Sequence, residues 1–162
     1  MRKANQEITD PAVLDEILSG GQIIRLAMCD GGKPYLLPFN YGYRKGIIYI
    51  HSAIEGRKID VLRKHPTVSF EVEDGVGIIP GKKPCNWSTR YRSVVGEGTA
   101  EIVTNVAGKR EGMEVIMAQH GLEGTPEFDD SELSRMVLLK IAIFSMSGKQ
   151  SSNWERGSGE MG

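Results

Sequence analysis

The sequence predicts a mainly β fold, a small antiparallel barrel with a few helices at its edges. About six strand-like segments cluster along the chain, and they do not alternate with helices as a doubly wound parallel sheet requires. Turn signals such as Asp-Gly separate the early strands. Gly96 and Gly98 interrupt the longest strand, where closure of a small barrel needs a bend or a bulge.

Length and composition favour one domain over residues 1–162. The chain is 40% hydrophobic and 25% charged, which suits a core of ordinary size. Its net charge of -1 predicts no general attraction to nucleic acid or to an anionic membrane surface. No apolar run reaches the roughly 18 residues of a membrane span, and the N-terminus lacks the apolar core of a signal peptide. We therefore expect a cytoplasmic protein without nucleic-acid or membrane partners.

The first element is an amphipathic helix within an N-terminal segment, residues 1–21. Asp10 is the candidate N-cap, Pro11 suits the first helical position, and Gly20 is expected just past the helix end. The apolar face of this helix consists of Val13, Leu14, Ile17 and Leu18.

The next three segments predict an antiparallel meander, in which each strand pairs with the one that follows. Residues 22–29 and 34–43 flank an Asp-Gly turn, which is a strong hairpin signal. Residues 43–50 contain a second turn at Gly46, which can adopt a positive φ.

The rest of the chain supplies the remaining strands and helices. Further strands are expected at residues 67–73, 90–103 and 135–147, and further helices at residues 105–121 and 125–134. Residues 150–162 form a polar tail rich in Gly and Ser, in which only Trp154 indicates that a part packs against the barrel.

The stretch "HSAIEGRK", residues 51–58, predicts a phosphate-binding turn between a strand and a helix. The first N–H groups of a helix are unpaired, and the helix dipole favours negative charge there. Ser52 would add a hydroxyl donor, Gly56 would permit close backbone approach, and Lys58 would bring a positive charge. The alternative is a capping box of Ser52 and Glu55 with Lys58 in solvent, and capping boxes are a common use of this spacing.

The strand around "YLLPFNYGY" predicts a surface for a flat ligand. Its odd-numbered positions form a large apolar face of Tyr35, Leu37, Phe39, Tyr41 and Tyr43. The opposite face is narrow and carries Pro38, which cannot donate to a ladder, and Asn40, which can donate and accept at the edge of a heterocycle. The alternative is that Pro38 only marks an edge strand.

Aromatic, hydroxyl and basic side chains follow one another before the long strand. They are Trp87, Ser88, Thr89, Arg90, Tyr91, Arg92 and Ser93. This composition fits a ligand with a ring and a phosphate better than it fits a core, although an ordinary solvated rim has a similar composition.

Residues 23–73 followed by residues 85–103 resemble the pyridoxamine 5'-phosphate oxidase-like FMN-binding split barrels, and among them the 5-nitroimidazole resistance proteins. The resemblance extends from about Gln22 to Met146 and rests on the order of several motifs. It implies a split β-barrel homodimer with FMN at the subunit interface. It also implies an FMN-dependent oxidoreductase that reduces small nitroaromatic compounds, with NAD(P)H as a transient electron donor.

The resemblance also implies a set of cofactor contacts. Pro38, Phe39, Asn40 and the adjacent Tyr41 would lie at the flavin ring, while His51, Ser52, Ala53, Gly56 and Lys58 would hold the phosphate end. Trp87, Ser88 and Tyr91 match the family's W-S-x-x-Y element and would close the site, and Arg25 would reach it from an alternating strand. The C-terminal segment lacks the Arg-rich strand that holds pyridoxamine phosphate in true oxidases, so vitamin B6 synthesis is not expected.

His51 is the candidate catalytic residue, because an imidazole can give a proton to a substrate that gains electrons. A structural role is the alternative for a lone histidine at a strand end. His65 and His120 fall at helix ends, and Cys29 and Cys85 lack metal-ligand spacing, so no metal site is predicted.

A second functional hypothesis belongs to another class. The same fold could hold FMN or a haem-like ligand as a store, a sensor or an electron carrier without turnover. The sequence contains no GxGxxG dinucleotide fingerprint, so a nicotinamide donor would bind only transiently under either hypothesis.

Overall fold

The computed structural model describes residues 6–154, which form a mainly antiparallel β fold with four α-helices in that range. The strands are β1 (Glu7–Ile8), β2 (Ile23–Asp30), β3 (Lys33–Asn40), β4 (Gly42–Arg44), β5 (Ile47–Ala53), β6 (Thr67–Ile79), β7 (Ser88–Val103) and β8 (Met136–Gln150). The helices are α1 (Pro11–Gly20), α2 (Arg57–Lys64), α3 (Val106–Gln119) and α4 (Asp130–Ser134). No helix in the described range is long and apolar enough to cross a membrane.

The strands form a curled sheet in the order β3-β2-β6-β7-β8-β5-β4, with β1 added beside β8. All the pairings are antiparallel, and β3 approaches β5 where the sheet curls round on itself. The predicted small antiparallel barrel with peripheral helices is therefore confirmed.

The strand order corrects the predicted meander. Residues 34–43 do not form one strand, because the chain breaks at Tyr41 and places β3 and β4 at opposite ends of the sheet order. Tyr41 is fully buried, and its hydroxyl donates to the carbonyl oxygen of Leu18 in α1. Gly42 lies so close to α3 that a Cβ at this position would approach the backbone of Ile116 to 2.6 Å. Packing against two helices thus redirects the chain.

The barrel interior is filled by apolar side chains from strands on all sides and from two helices. The core includes Leu14, Ile17 and Leu18 of α1, Ile59, Val61 and Leu62 of α2, and the strand residues Ile24, Leu26, Ile48, Ile50, Phe70, Val72, Leu139 and Ile141. Because apolar side chains fill this interior, we expect a ligand of cofactor size to bind on the outside of the wall.

Two helices begin at the capping residues that the sequence predicts. The Asp10 carboxylate accepts from the Ala12 N–H at 2.9 Å, and the Asn105 side chain accepts from the Gly108 N–H at 2.8 Å. The first helix continues through Gly20, one residue further than predicted. The alternative capping box of Ser52 and Glu55 is absent, since α2 begins at Arg57 and has no side-chain cap.

The glycine-rich bend in β7 is also confirmed. A Cβ at Gly96 would lie 2.5 Å from Cζ of Phe70 and 2.6 Å from the carbonyl oxygen of Ser145. The register between β7 and β8 shifts between Glu97 and Gly98. The missing side chain at Gly96 therefore lets the buried Phe70 ring reach the wall at the bend.

Candidate functional site

The turn between β5 and α2 presents free backbone donors to solvent. Gly56 precedes the helix with φ of 119°, and nothing lies within 4 Å of the position that a Cβ would take there. The Gly56 carbonyl accepts from the N–H groups of Ile59 and Asp60. Among residues 6–154, the N–H groups of Arg57 and Lys58 find no protein acceptor, so they can bind an anion.

Two cations extend from this helix start onto β3. The Lys58 ammonium lies 5.8 Å from the centre of the Phe39 ring, and no carboxylate pairs with it within the described residues. The Arg57 guanidinium lies 4.2 Å from the centre of the Tyr35 ring and donates to Asp30 at 2.8 Å. We call Gly56, the two free N–H groups and the Lys58 side chain the anion site.

Arg57 is a residue that the sequence reasoning missed. It stands next to Lys58 in "GRK", but its partners Asp30 and Tyr35 lie on a hairpin more than twenty positions away in sequence. Its ion pair and its aromatic contact fix the start of α2 against β3. Arg57 thereby orients the anion site, while its own charge is already matched by a carboxylate.

His51, Ser52 and Ala53 end β5 just before the anion site, but they do not share a face. His51 and Ala53 are exposed, whereas Ser52 is only 5% exposed and its hydroxyl donates to the Ala53 carbonyl at 3.1 Å. Alternation along a strand requires this division. The structure therefore leaves the imidazole accessible to a ligand and turns the Ser52 hydroxyl toward the core.

The outer face of β3 is open at Leu36, Pro38 and Asn40, which are all exposed. The opposite face, with Tyr35, Leu37 and Phe39, packs against the core. Within residues 6–154, β3 terminates the sheet order, so Pro38 does mark an edge strand. An exposed, narrow face on an edge strand is also compatible with a flat ligand.

Arg25 lies on β2 opposite Pro38, but its charge is already paired. Its guanidinium contacts Glu71 at 2.9 Å and Glu73 at 2.8 Å. The hydrogen bond that Arg25 donates to Glu71 and the charge of Glu73 raise the pKa of Arg25. Burial raises the pKa of the Glu71 carboxyl against the opposing effect of Arg25. Arg25 could contact an anionic ligand only by giving up part of this pairing.

The predicted cofactor contact at Tyr41 is corrected by the structure. The ring is fully enclosed, and burial raises the pKa of its hydroxyl far above the usual value. Alternation along the strand identified its face correctly, but the chain turns inward at this position. Tyr41 is therefore a core residue.

Trp87, Ser88 and Tyr91 lie on a different part of the wall from Lys58 and Phe39. Trp87 is 57% exposed, and Ser88 begins β7. Tyr91 alternates with the buried Arg92, so it projects from the outer face of the sheet. β2 and β6 separate β7 from β3. One chain does not bring these two groups of predicted site residues together.

Two cavities in the described part of the chain lie apart from the anion site. One of about 310 Å³ lies between α1, β4 and α3, and another of about 370 Å³ is lined in part by Arg25 and Glu73. Neither contains Lys58 or Phe39. The anion site is an open surface, which suits a ligand that a second wall would cover.

The residues present nevertheless fit a phosphorylated, flat ligand. The anion site supplies two N–H donors and one unpaired ammonium, and the aromatic ring of Phe39 lies beside that ammonium. Charge-assisted hydrogen bonds of this kind are the stronger contacts that proteins make with phosphate. The fold and the site together define an antiparallel split β-barrel with an anion site on its outer wall.

The chain belongs to the pyridoxamine 5'-phosphate oxidase family, whose sequence profile matches residues 10–150. The sequence resemblance to split barrels of this type is therefore confirmed.

Solved structures share the fold over most of their length. A candidate 5-nitroimidazole antibiotic resistance protein from Bacteroides thetaiotaomicron is 25% identical, with a TM-score of 0.79 over 89% of this chain and 86% of that one. An FAD and heme binding protein from Mycobacterium smegmatis is 21% identical, with a TM-score of 0.80 over 96% of this chain and 80% of that one. A flavocytochrome from Azotobacter vinelandii is 19% identical, with a TM-score of 0.77 over 94% and 72%.

An uncharacterized protein from Rhizobium meliloti (strain 1021) is 33% identical over 58 residues. The match spans 36% of this chain and 38% of that protein. It adds a short sequence relationship and no functional assignment.

Proposed function

We propose that the protein is a homodimeric flavoprotein that binds FMN between its subunits and reduces small nitroaromatic compounds. The observation that carries this proposal is the anion site, where two free N–H groups and the Lys58 ammonium stand beside the Phe39 ring. Membership in the pyridoxamine 5'-phosphate oxidase family supports it. The similarity to the candidate nitroimidazole resistance protein supports the nitroaromatic substrate class.

The residues at the site have distinct roles in this proposal. Lys58 and the two N–H groups hold the phosphate on the Phe39 side of β3, and the ring extends past the edge of this strand to Pro38 and Asn40 on its open face. Bound FMN supplies the electron-transfer chemistry that amino-acid side chains lack. One ammonium and two N–H groups suit the single phosphate of FMN.

In this proposal, His51 supplies protons to the substrate. Its imidazole is exposed where β5 approaches the anion site. An imidazole exchanges protons readily near neutral pH, and nitro reduction consumes protons as well as electrons. We therefore assign His51 the role of holding a proton that the nitro group takes up.

A second copy of the chain would complete the site. Tyr91 and Phe39 lie on strands separated by β2 and β6 and on opposite faces of the wall, so one flat ligand does not span them within a chain. The sheet also exposes Leu36, Val95 and Phe144 at 59%, 51% and 60%. A partner packed on this outer face would bury these apolar side chains and bring its own Trp87, Ser88 and Tyr91 toward the ligand.

We place this activity in the cytoplasm. Both Cys29 and Cys85 are free and exposed in the described structure, which is compatible with a reducing compartment. The electron donor we propose is NADH or NADPH, which would bind transiently in the gap over the ring.

An anaerobic spectroscopic assay tests the proposed reaction. Protein loaded with FMN should lose its yellow colour when NADH or NADPH is added without oxygen, and the colour should return when a nitroimidazole follows. The reduced nitroimidazole should be detected by mass spectrometry. A flavin that stays oxidised with both donors would contradict the enzymatic role.

The second candidate function is binding without turnover, as a store, a sensor or an electron carrier for flavin or a haem-like ligand. It is favoured by the names of two similar structures, an FAD and heme binding protein and a flavocytochrome. The exposed His51 imidazole is a suitable axial ligand for haem iron. Added haem should then give an absorption spectrum that His51→Ala changes. Under the nitroreductase proposal, His51→Ala should instead retain FMN and lose turnover.

A further inference from the structure

Two strands leave the barrel together and form an arm. The final residue pair between β6 and β2 is Val72 with Ile24, and beyond it β6 pairs only with β7 in the described residues. The pairing of β7 with β8 ends at Arg92 and Gln150. We define the arm as residues 74–91. It contains Trp87, Ser88 and Tyr91.

A two-stranded ribbon of this kind is at best marginally stable in water. The exposure of Val76 and Ile78, at 57% and 66%, shows that the arm packs little of its apolar surface on its own chain. Its orientation must therefore be set mainly by contacts at its root.

The segment that follows β8 contacts the base of the arm, which we call its root, on the outer face of the sheet near Tyr91. The N–H of Ser151 donates to the Tyr91 carbonyl at 2.9 Å, and the Tyr91 N–H donates to the Ser151 hydroxyl at 3.4 Å. Ser151 is buried. The Lys149 ammonium lies 5.9 Å from the centre of the Tyr91 ring. These contacts keep β7 bonded to the segment after β8 for one residue pair beyond the end of the β7–β8 ladder.

Trp154 holds the other face of the same root. Its ring lies 4.3 Å from the guanidinium carbon of Arg92 and 5.2 Å from that of Arg90. Arg90 and Arg92 flank Tyr91 and, by alternation, project away from it. The predicted packing of Trp154 against the rest of the fold is confirmed by these contacts. Residues 149–154 thus contact both faces of β7 at the root of the arm.

The surface beneath Trp154 contains a buried guanidinium that is paired with two carboxylates. Arg92 is 9% exposed and pairs with Glu16 at 2.8 Å and with Asp74 at 2.6 Å. Gly75 has φ of 60°, and a Cβ there would lie 2.4 Å from the Trp154 ring. The ring therefore rests on a guanidinium held by two carboxylates and fills the space that the glycine leaves.

We propose that Trp154 is a positioning residue that sets the orientation of the arm, and through it the position of Trp87, Ser88 and Tyr91 at the flavin. This inference rests on the proposed function for its consequence in binding. Trp154 acts through Arg90 and Arg92 and need not touch the ligand. The contacts at the arm root, which are independent of any ligand, carry the structural half of the inference.

The experiment compares Trp154→Ala, Trp154→Phe and Phe128→Ala in the full-length protein. Phe128 is a half-buried aromatic residue between α3 and α4, so its substitution is a matched control for loss of a ring. We expect Trp154→Ala to weaken FMN binding about tenfold, as loss of a partly desolvated cation–π contact allows, with most of the affinity kept in Trp154→Phe. Phe128→Ala should bind as the wild type does.

Hydrogen exchange of the ligand-free proteins separates this inference from the proposed function. Amides of residues 76–91 should exchange faster in Trp154→Ala, while amides of the core strands β2 and β5 should keep their wild-type rates. A protein with no affinity for FMN but with this local change would overturn the proposed function and leave the arm support intact. Wild-type exchange in the arm together with unchanged FMN affinity would overturn the inference. If Trp154→Ala does not fold, Trp154→Leu carries the same expectation.

Discussion

In the proposed function, phosphate binding depends most directly on the Lys58 side chain. Its replacement by alanine removes a charge-assisted hydrogen bond of about 1.5 to 3 kcal/mol, which corresponds to about a ten- to hundredfold loss of FMN affinity. Fluorescence titration of FMN measures this change. Lys64→Ala, at the other end of α2, is the matched control and should have no effect, because Lys64 is exposed and remote from the helix start.

Riboflavin provides an internal check on the same variant. It lacks the phosphate, so wild type and Lys58→Ala should bind it equally. If Lys58→Ala binds FMN as the wild type does, the phosphate must lie elsewhere on the molecule.

Substitution of Tyr41, in contrast to that of Lys58, is expected to lower stability and to leave FMN affinity unchanged. Its hydroxyl donates to the Leu18 carbonyl, which also accepts from the Gln119 side chain at 3.2 Å. Tyr41→Phe removes one buried hydrogen bond but leaves that carbonyl paired, so we expect a loss of about 1 kcal/mol in the free energy of unfolding. Urea denaturation measures this loss. FMN affinity should not change, and a large loss of affinity would return Tyr41 to the binding site.

Single residues also show what the sequence could and could not predict. The free N–H groups at the start of α2 follow from a strand that ends before a helix, which the stretch "HSAIEGRK" indicated. The pairing of Arg25 with Glu71 and Glu73 was not predictable, because these partners come from a strand over forty positions away. The burial of Tyr41 depends on where the chain turns, which side-chain alternation does not report.

At the scale of the elements, the path of β7 depends on the absence of a side chain at Gly96. A Cβ at Gly96 would enter the space of Phe70 and of the Ser145 carbonyl, and neither the buried ring nor the backbone can move freely. We expect Gly96→Ala to lower the free energy of unfolding by about 1 to 3 kcal/mol. Chemical denaturation followed by circular dichroism measures it.

Gly20→Ala is the matched control for that substitution. Gly20 lies in the last turn of α1, with nothing within 4 Å of the position of a Cβ. Alanine is favoured over glycine in a helix, so this variant should be as stable as the wild type or more stable by up to about 1 kcal/mol. Equal losses in both variants would show that the bend at Gly96 does not require the close contact.

The elements were predicted better than their pairing. Alternation and capping residues located every helix and most strands, because both signals are local. The meander was wrong because packing of Tyr41 and Gly42 against helices, a tertiary effect, separates β3 from β4. The extension of β6 to Ile79 was missed because "DGVGII" carries the glycines of a turn. That extension forms half of the arm.

At the scale of the whole molecule, the exposed outer face of the sheet predicts a dimer. Val95→Asp places a charge on this face, where Val95 is 51% exposed. Val106→Asp is the matched control, since Val106 is 44% exposed at the start of α3, beyond the far end of β7 from Val95. We expect Val95→Asp to shift the protein from dimer to monomer in sedimentation velocity and to weaken FMN binding in parallel, because burying an unpaired charge is costly.

Val106→Asp should remain a dimer and should keep its flavin. A wild-type monomer, or a Val95→Asp dimer with full affinity, would show that the site does not need a partner on this face.

Calorimetric titration of the purified, flavin-free protein with FMN tests the central claim most directly. We expect one FMN per chain, a dissociation constant at or below about 1 μM, and binding of riboflavin that is weaker by about tenfold or more. Protein that is colourless as purified and gives no heat with FMN would contradict the account. Equal affinity for FMN and riboflavin would contradict the role of the anion site.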